Sequence, residues 1–200
     1  MSLIRQPALA LLEYSSIAVG VMAGDAMVKR APVATACAGT IHPGNYLVLL
    51  GGDVACVEES FEAGLAAGHS ALLDDVFLPA AHPSIKEALL GRRGRPSGEA
   101  LGLVETRTVA ATVGAVDRAL KGAEVSLVEI RLADNLGGKG YAVLSGPLAE
   151  VEVAVELAVE AVHPGDKLVA SVVIPQFHEE MLANLESAPE FWTRITEGGA

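Results

Sequence analysis

Positive charge, aromatic side chains, cysteine and long apolar runs are all scarce in this chain, and each scarcity excludes something. Lysine and arginine number 14 against 25 aspartates and glutamates, giving a net charge of −11 over 200 residues. A nucleic-acid surface needs clustered basic groups to displace counterions from phosphates, so that class is excluded. An anionic membrane surface is disfavoured on the same ground. No stretch approaches the ~20 apolar residues of a membrane span. The opening "MSLIRQPALALLEYSS" carries no long apolar core with a cleavage site, so no secretory leader is read. With only Cys37 and Cys56 no disulfide framework is implied, which fits a reducing cytosol. Both thiols are expected to behave as small buried hydrophobes.

What is present in excess is small apolar side chain. Hydrophobic residues make up 51% of the chain and aromatics only 4%, with a mean hydropathy of +0.41. That is high for a chain without a membrane segment, since small domains leave much of their surface exposed. Alanine, valine and leucine in such excess point to surface buried between subunits.

The chain also repeats itself. At an offset of 92, Leu9 meets Leu101, Glu13 meets Glu105, Asp25 meets Asp117 and Lys29 meets Lys121. Further on the offset grows to 94, pairing Gly52 with Gly146, and then to 96, pairing Pro79 with Pro175 and His82 with His178. Two small insertions account for the drift. The reading is a tandem duplication: residues 1–90, a Gly/Pro-punctuated linker "GRRGRPSGE" at 91–99, a second unit at 100–187 and a tail at 188–200.

Each half predicts the same elements. "ALALLE" is a short apolar run suited to a buried strand. Ser15 and Ser16 offer an N-cap for a helix ending near Arg30, before Pro32. "VATACAG" and "YLVLLGG" read as strands around a tight loop at His42-Pro43-Gly44. Asp53 caps the next helix, whose apolar stripe is Val54, Val57, Phe61 and Leu65. In the second half Pro147 takes the first helical position, and Leu148, Val151, Val155 and Val159 carry the stripe. A fourth strand (roughly 70–78 and 167–174) and a short helix complete each unit. The fold class is α+β: β-α-β-β-α-β-α twice, each with a mostly antiparallel sheet packed against helices.

No active site stands out. The glycine pairs of "LLGGD" (49–53) and "GGKGY" (137–141) lack the spacing of a phosphate loop, so they read as turns. Glu58, Glu62, Glu152, Glu156 and Glu160 recur four apart as a solvated helix face. His82 and His178, at the start of the last helices, fit capping or packing as well as catalysis. Glu13 and Glu105 close the first strands, where a buried acid serves either catalysis or a structural bond to backbone; the latter is favoured. His42, at a hairpin tip, fits a metal ligand, a general base, a pore lining or a solvated side chain.

Several segments together resemble the shell proteins of bacterial microcompartments in their tandem-domain class, most nearly the propanediol-compartment type. They are "LLEYSSIAVGVMAGDAMVKRAPV", "PGNYLVLLGGDVACVEESFEAG" and "LPAAHPSI", then "LVETRTVAATVGAVDRALKGAEV", "GGKGYAVLSGPLAEVEVAVE" and "SVVIPQFHEEM", running from about residue 8 to 186. The resemblance implies a non-enzymatic homotrimer that mimics a hexamer and tiles with other shell proteins in the cytoplasm. Encapsulated enzymes are further partners, and small metabolites cross a central pore. It implies Lys29 and Lys121 as tile-edge contacts. Ile41, His42, Pro43 and Gly44, with Leu136, Gly137 and Gly138, become the pore lining. The family's edge arginine in "PRPH" is missing from "PAAH" (79–82) and "PQFH" (175–178). The relative's pore loop "CPG", whose three cysteines hold an iron–sulfur cluster, is here "HPG", so no cofactor is expected. Three converging copies of His42 leave a metal ion as the alternative, in a metal- or cofactor-binding oligomer of redox type. An enzyme of unknown class stands behind both.

Overall fold

The computed structural model describes residues 3–162 and 166–186. The tail at 188–200 and residue 187 lie outside them. The first domain runs β1 (Ala8–Tyr14), α1 (Ile17–Arg30), β2 (Thr35–Ile41), β3 (Asn45–Gly52), α2 (Val54–Gly68), β4 (Leu72–Leu78) and α3 (Pro83–Leu89). The second runs β5 (Ala100–Thr106), α4 (Val109–Gly122), β6 (Ser126–Leu132), β7 (Gly140–Gly146), α5 (Leu148–Val162), β8 (Leu168–Ile174) and α6 (Glu179–Glu186). The sheets are ordered β2-β3-β1-β4 and β6-β7-β5-β8, and every pairing is antiparallel. The duplication therefore holds in the register of the central strands: Leu11 opposes Leu49 and Val76, as Leu103 opposes Val143 and Val172.

β1 is buried along all seven residues, because both faces of its sheet are covered. Ala8, Ala10, Leu12 and Tyr14 pack with Ala23 and Met27 of α1 and with Val57 and Phe61 of α2. Leu9 and Leu11 face the other way and share a cluster with Val109, Val113 and Val116 of α4. One core thus spans both domains. Capping follows the sequence pattern: Ser16 accepts from the Val19 N–H and Asp53 from the Ala55 N–H. Ser15 instead donates its hydroxyl to the Ala71 carbonyl.

Two expectations are corrected. Pro147 precedes the helix rather than starting it, standing where Asp53 stands in the first half, and its carbonyl accepts from the Val151 N–H. The thiols are not core residues: Cys37 is exposed and Cys56 half-buried. Cys37 lies on β2, an edge strand that is largely exposed. The segment 91–99 runs along the second sheet. Its Gly94 N–H bonds the Val128 carbonyl of β6, and its Ser97 N–H bonds the Ser145 hydroxyl of β7.

Candidate functional site

The loops joining the equivalent strands of the two sheets meet. Between β2 and β3, residues 42–44 make a tight turn in which the Gly44 N–H returns to the Ile41 carbonyl, and Gly44 takes a φ of +128° that a side chain would resist. Between β6 and β7 the loop 133–139 is longer. Its Leu136 and Gly138 N–H groups both turn back to the Ala133 carbonyl, and φ is positive at Ala133, Asn135, Gly137 and Gly138. A Cβ on Gly138 would sit 2.9 Å from Cδ of Pro43, so glycine is needed for the two loops to touch.

His42 has a partner that the sequence reading missed. Its backbone N–H donates to Oδ1 of Asp134 at 3.2 Å, and its ring Nδ1 lies 3.1 Å from the same oxygen. The hydrogen bonds from His42 hold the Asp134 carboxyl below the usual carboxylate range, so it stays ionised. With Nδ1–H as the donor, Nε2 keeps its lone pair. Both side chains are well exposed, at 61% and 64%. An open cavity of about 590 Å³ is bordered by Ile41, His42, Pro43, Gly44, Asp134 and Asn135. Leu136 is half-buried, Gly137 exposed and Gly138 buried against the first loop. Asp134 occupies the repeat position of His42, an offset of 92, and that coincidence was the available signal.

The paired acids separate by environment. Glu13 is buried, with one oxygen accepting from the Asn45 amide at 3.2 Å and the other from the N–H of Val109, the first residue of α4, at 2.9 Å. It therefore caps a helix of the other domain, where the dipole favours a carboxylate. Burial raises its pKa above the usual 4.5, opposed by these two bonds. Glu105 is half-buried and pairs with Lys139. Asp117 is a second junction across the domains: it accepts from the His82 N–H at 2.9 Å while its other oxygen holds Lys121. A third is the Thr108 hydroxyl on Asp74.

His82 and His178 are caps, each ring Nδ1 accepting the N–H two residues on, from Ser84 and Glu180. Burial lowers the His82 pKa and keeps its ring neutral for that bond. Glu58, Glu62, Glu152, Glu156 and Glu160 are all exposed. Lys29 pairs with Asp25 as Lys121 does with Asp117, and both lysines remain exposed. Among the described residues, no three His, Cys, Asp or Glu side chains gather where a single chain could hold a metal. An iron–sulfur cluster does not fit the loop: such clusters need thiolates, the loop offers an imidazole, and Cys37 sits within β2.

Comparison with known proteins matches the BMC domain twice, at residues 8–81 and 100–177. The chain is 39% identical over 191 residues to the bacterial microcompartment shell protein PduT of Citrobacter freundii, covering 96% of this chain and 98% of that one. It is 35% identical over 95 residues to the major carboxysome shell protein CsoS1A of Halothiobacillus neapolitanus, covering 47% of this chain and 95% of that one. A crystal structure of a microcompartments protein from Desulfitobacterium hafniense DCB superposes with a TM-score of 0.75 at 39% identity, over 88% of this chain and 98% of that one.

Proposed function

The chain belongs to the BMC-domain family in tandem form, a shell protein of a bacterial microcompartment and not an enzyme; from that premise we propose that three copies close a ring of six domains. Residues 1–90 and 100–187 are the two shell domains of each copy, joined by 91–99. The tile lies in the shell, in the cytoplasm, beside other shell proteins and the enzymes they enclose. Its axis is a pore for small polar metabolites, lined by Ile41, His42, Pro43, Gly44, Leu136, Gly137 and Gly138.

One observation carries this reading: quasi-equivalent loops from the two domains stand side by side, joined by His42 and Asp134. Ring closure requires equivalent loops to be neighbours. Repeated three times, the contact makes a rim of alternating imidazole and carboxylate groups. Ionised Asp134 then opposes the entry of anions more than that of neutral polar molecules. Light scattering on purified protein is expected to give a trimer or its multiples, and a monomer at micromolar concentration overturns the tile. His42→Ala is expected to leave the trimer intact and change permeability in assembled shells. Loss of the trimer would show that His42 holds the ring rather than lining it.

The carboxylate on Nδ1 of His42 is also how metal-ligating imidazoles are oriented. Metal analysis of the purified trimer decides that second reading: one tightly held ion per three chains, absent from His42→Ala, replaces the passive pore.

Lys29 and Lys121 are proposed as tile-edge contacts. Lys121 stays 40% exposed although its partner Asp117 is buried in the domain contact, so a charge there remains available to a neighbouring tile. Reversing both charges is expected to abolish flat sheets in electron micrographs while light scattering still reports the trimer. A dissociated trimer would move these lysines to the subunit interface.

A further inference from the structure

The segment between the domains is a basic stretch of an acidic chain: Arg92, Arg93 and Arg95 stand close together, against a net charge of −11 overall. Two of these arginines are engaged. Arg92 pairs with Glu87 at 3.2 Å. Arg93 pairs at 3.0 Å with Glu129, which is buried on β6 and also accepts from the Tyr141 hydroxyl. It donates as well to the Leu185 carbonyl near the end of α6. Arg95 is exposed and has no ion pair or hydrogen bond among the described residues. With Arg93, Gly94, Val128 and Leu185 it borders an open hollow of about 450 Å³. The rim is held tightly: the Gly94 N–H bonds the Val128 carbonyl, and a Cβ on Gly94 would sit 2.2 Å from the Leu127 carbonyl oxygen. Behind it lies a small apolar cluster in which Leu185 packs with Leu101, Val128 and Val143.

The first unit fills the corresponding place. The Ala81 N–H bonds the Pro7 carbonyl as the Phe177 N–H bonds that of Glu99, so the chain entering each sheet keeps the offset of 92. By the same offset Leu3 corresponds to Arg95. Leu3 is 5% exposed and shares a core cluster with Leu9 and Ile85. Where the first unit inserts an apolar side chain beside its last helix, the second presents a guanidinium and leaves its apolar cluster open.

We propose that the tail beyond α6 supplies the missing side chains. It folds back on its own chain, places Phe191 and Trp192 in the hollow and sets the Glu190 carboxylate against Arg95. Reach selects this occupant first: Leu185 already borders the hollow, and the segment from Glu186 to Phe191 spans about 17 Å at full extension. Chemistry selects it next. An aromatic pair suits an apolar floor, a carboxylate suits a guanidinium without a partner, and the guanidinium plane also stacks on indole. Composition agrees. The chain has one tryptophan and four phenylalanines, and two of these side chains stand next to each other here, a large apolar area to leave in water. The seat lies within one chain and does not depend on the ring.

Trp192 is the sole tryptophan, so the fluorescence of the full chain reports on the tail alone. Wild type is expected to show blue-shifted emission and acrylamide quenching several-fold weaker than that of free indole. Arg95→Glu, at an exposed site, is expected to shift the emission to the red and raise the quenching to that of an open side chain. Circular dichroism and light scattering are expected to stay unchanged. Glu190→Lys alone has the same effect, and combining it with Arg95→Glu restores the blue emission, because the exchanged charges attract again. In a Cys37→Ser/Cys56→Ser background, Arg95→Cys with Glu190→Cys is expected to cross-link within one chain on a non-reducing gel. A solvent-exposed Trp192 in wild type overturns the seat and leaves the tail open to other partners. Cross-links between chains overturn it in favour of a seat on another copy. Shielded emission that ignores both charge reversals overturns it too, by placing the aromatic pair elsewhere.

Discussion

Val113→Asp is expected to unfold the chain, although the equivalent change at half-exposed Val21 leaves each copy folded. Val113 is fully buried in the cluster that joins α4 to Leu9, Leu11 and Leu78 of the first domain. A carboxylate there enters an apolar cluster, where an uncompensated charge costs about 3–5 kcal/mol in addition to the lost apolar burial. This is a large fraction of the stability of an ordinary domain. Because one core serves both domains, the loss is not confined to the second. Urea titration followed by circular dichroism is the measurement, and a midpoint near the wild-type value would mean that the domains part without cost.

Glu13→Ala is expected to destabilise the protein by about 3 kcal/mol, since it strips the buried Val109 N–H of its acceptor and the Asn45 amide of its partner. Glu13→Gln retains an oxygen for the Val109 N–H and turns an NH2 toward Asn45, whose own amide oxygen accepts it after a flip, so most stability is kept at neutral pH. Its pH dependence gives a separate signature. Burial raises the folded-state pKa of Glu13 above 4.5, so between 4.5 and that raised value the folded state binds more protons than the unfolded state. The contribution is therefore fully present below 4.5 and is lost as pH rises through the folded value. Burial raises Asp75 as well, with the same sign. Urea midpoints from pH 4 to 8 should fall less steeply for Glu13→Gln than for wild type. Equal slopes would remove Glu13 as the titrating group, and a Glu13→Ala midpoint close to wild type would reduce the cap to a bystander.

Much of the architecture was legible because it is local or repeated. The apolar run at Ala8–Tyr14, the caps Ser16 and Asp53 and the helix stripe Val57–Phe61 report backbone geometry within a few residues. The growing offset located the insertions: one falls in the loop after β6, longer than its counterpart after β2, and the other lies between α5 and β8. The resemblance of both halves to a shell-protein family rested on the same repeated segments.

Contacts between distant residues were not legible in this way. Nothing near Glu13 announces that its acceptor role is played at Val109, ninety-six positions on, or that Asp134 faces His42. Cys37 is expected inside because small apolar neighbours surround it, but burial depends on what covers an edge strand, and β2 stays largely exposed among the described residues. Val21 and Val113 make the distinction sharpest. They hold the same place in the same local pattern, and a hydrophobic stripe states only that a face must be covered. The sequence by itself determined two copies of one α+β unit and the apolar faces each would present. Only the tertiary structure decided which of those faces the chain covers for itself, because that choice is made by packing between domains and leaves no periodicity along the backbone.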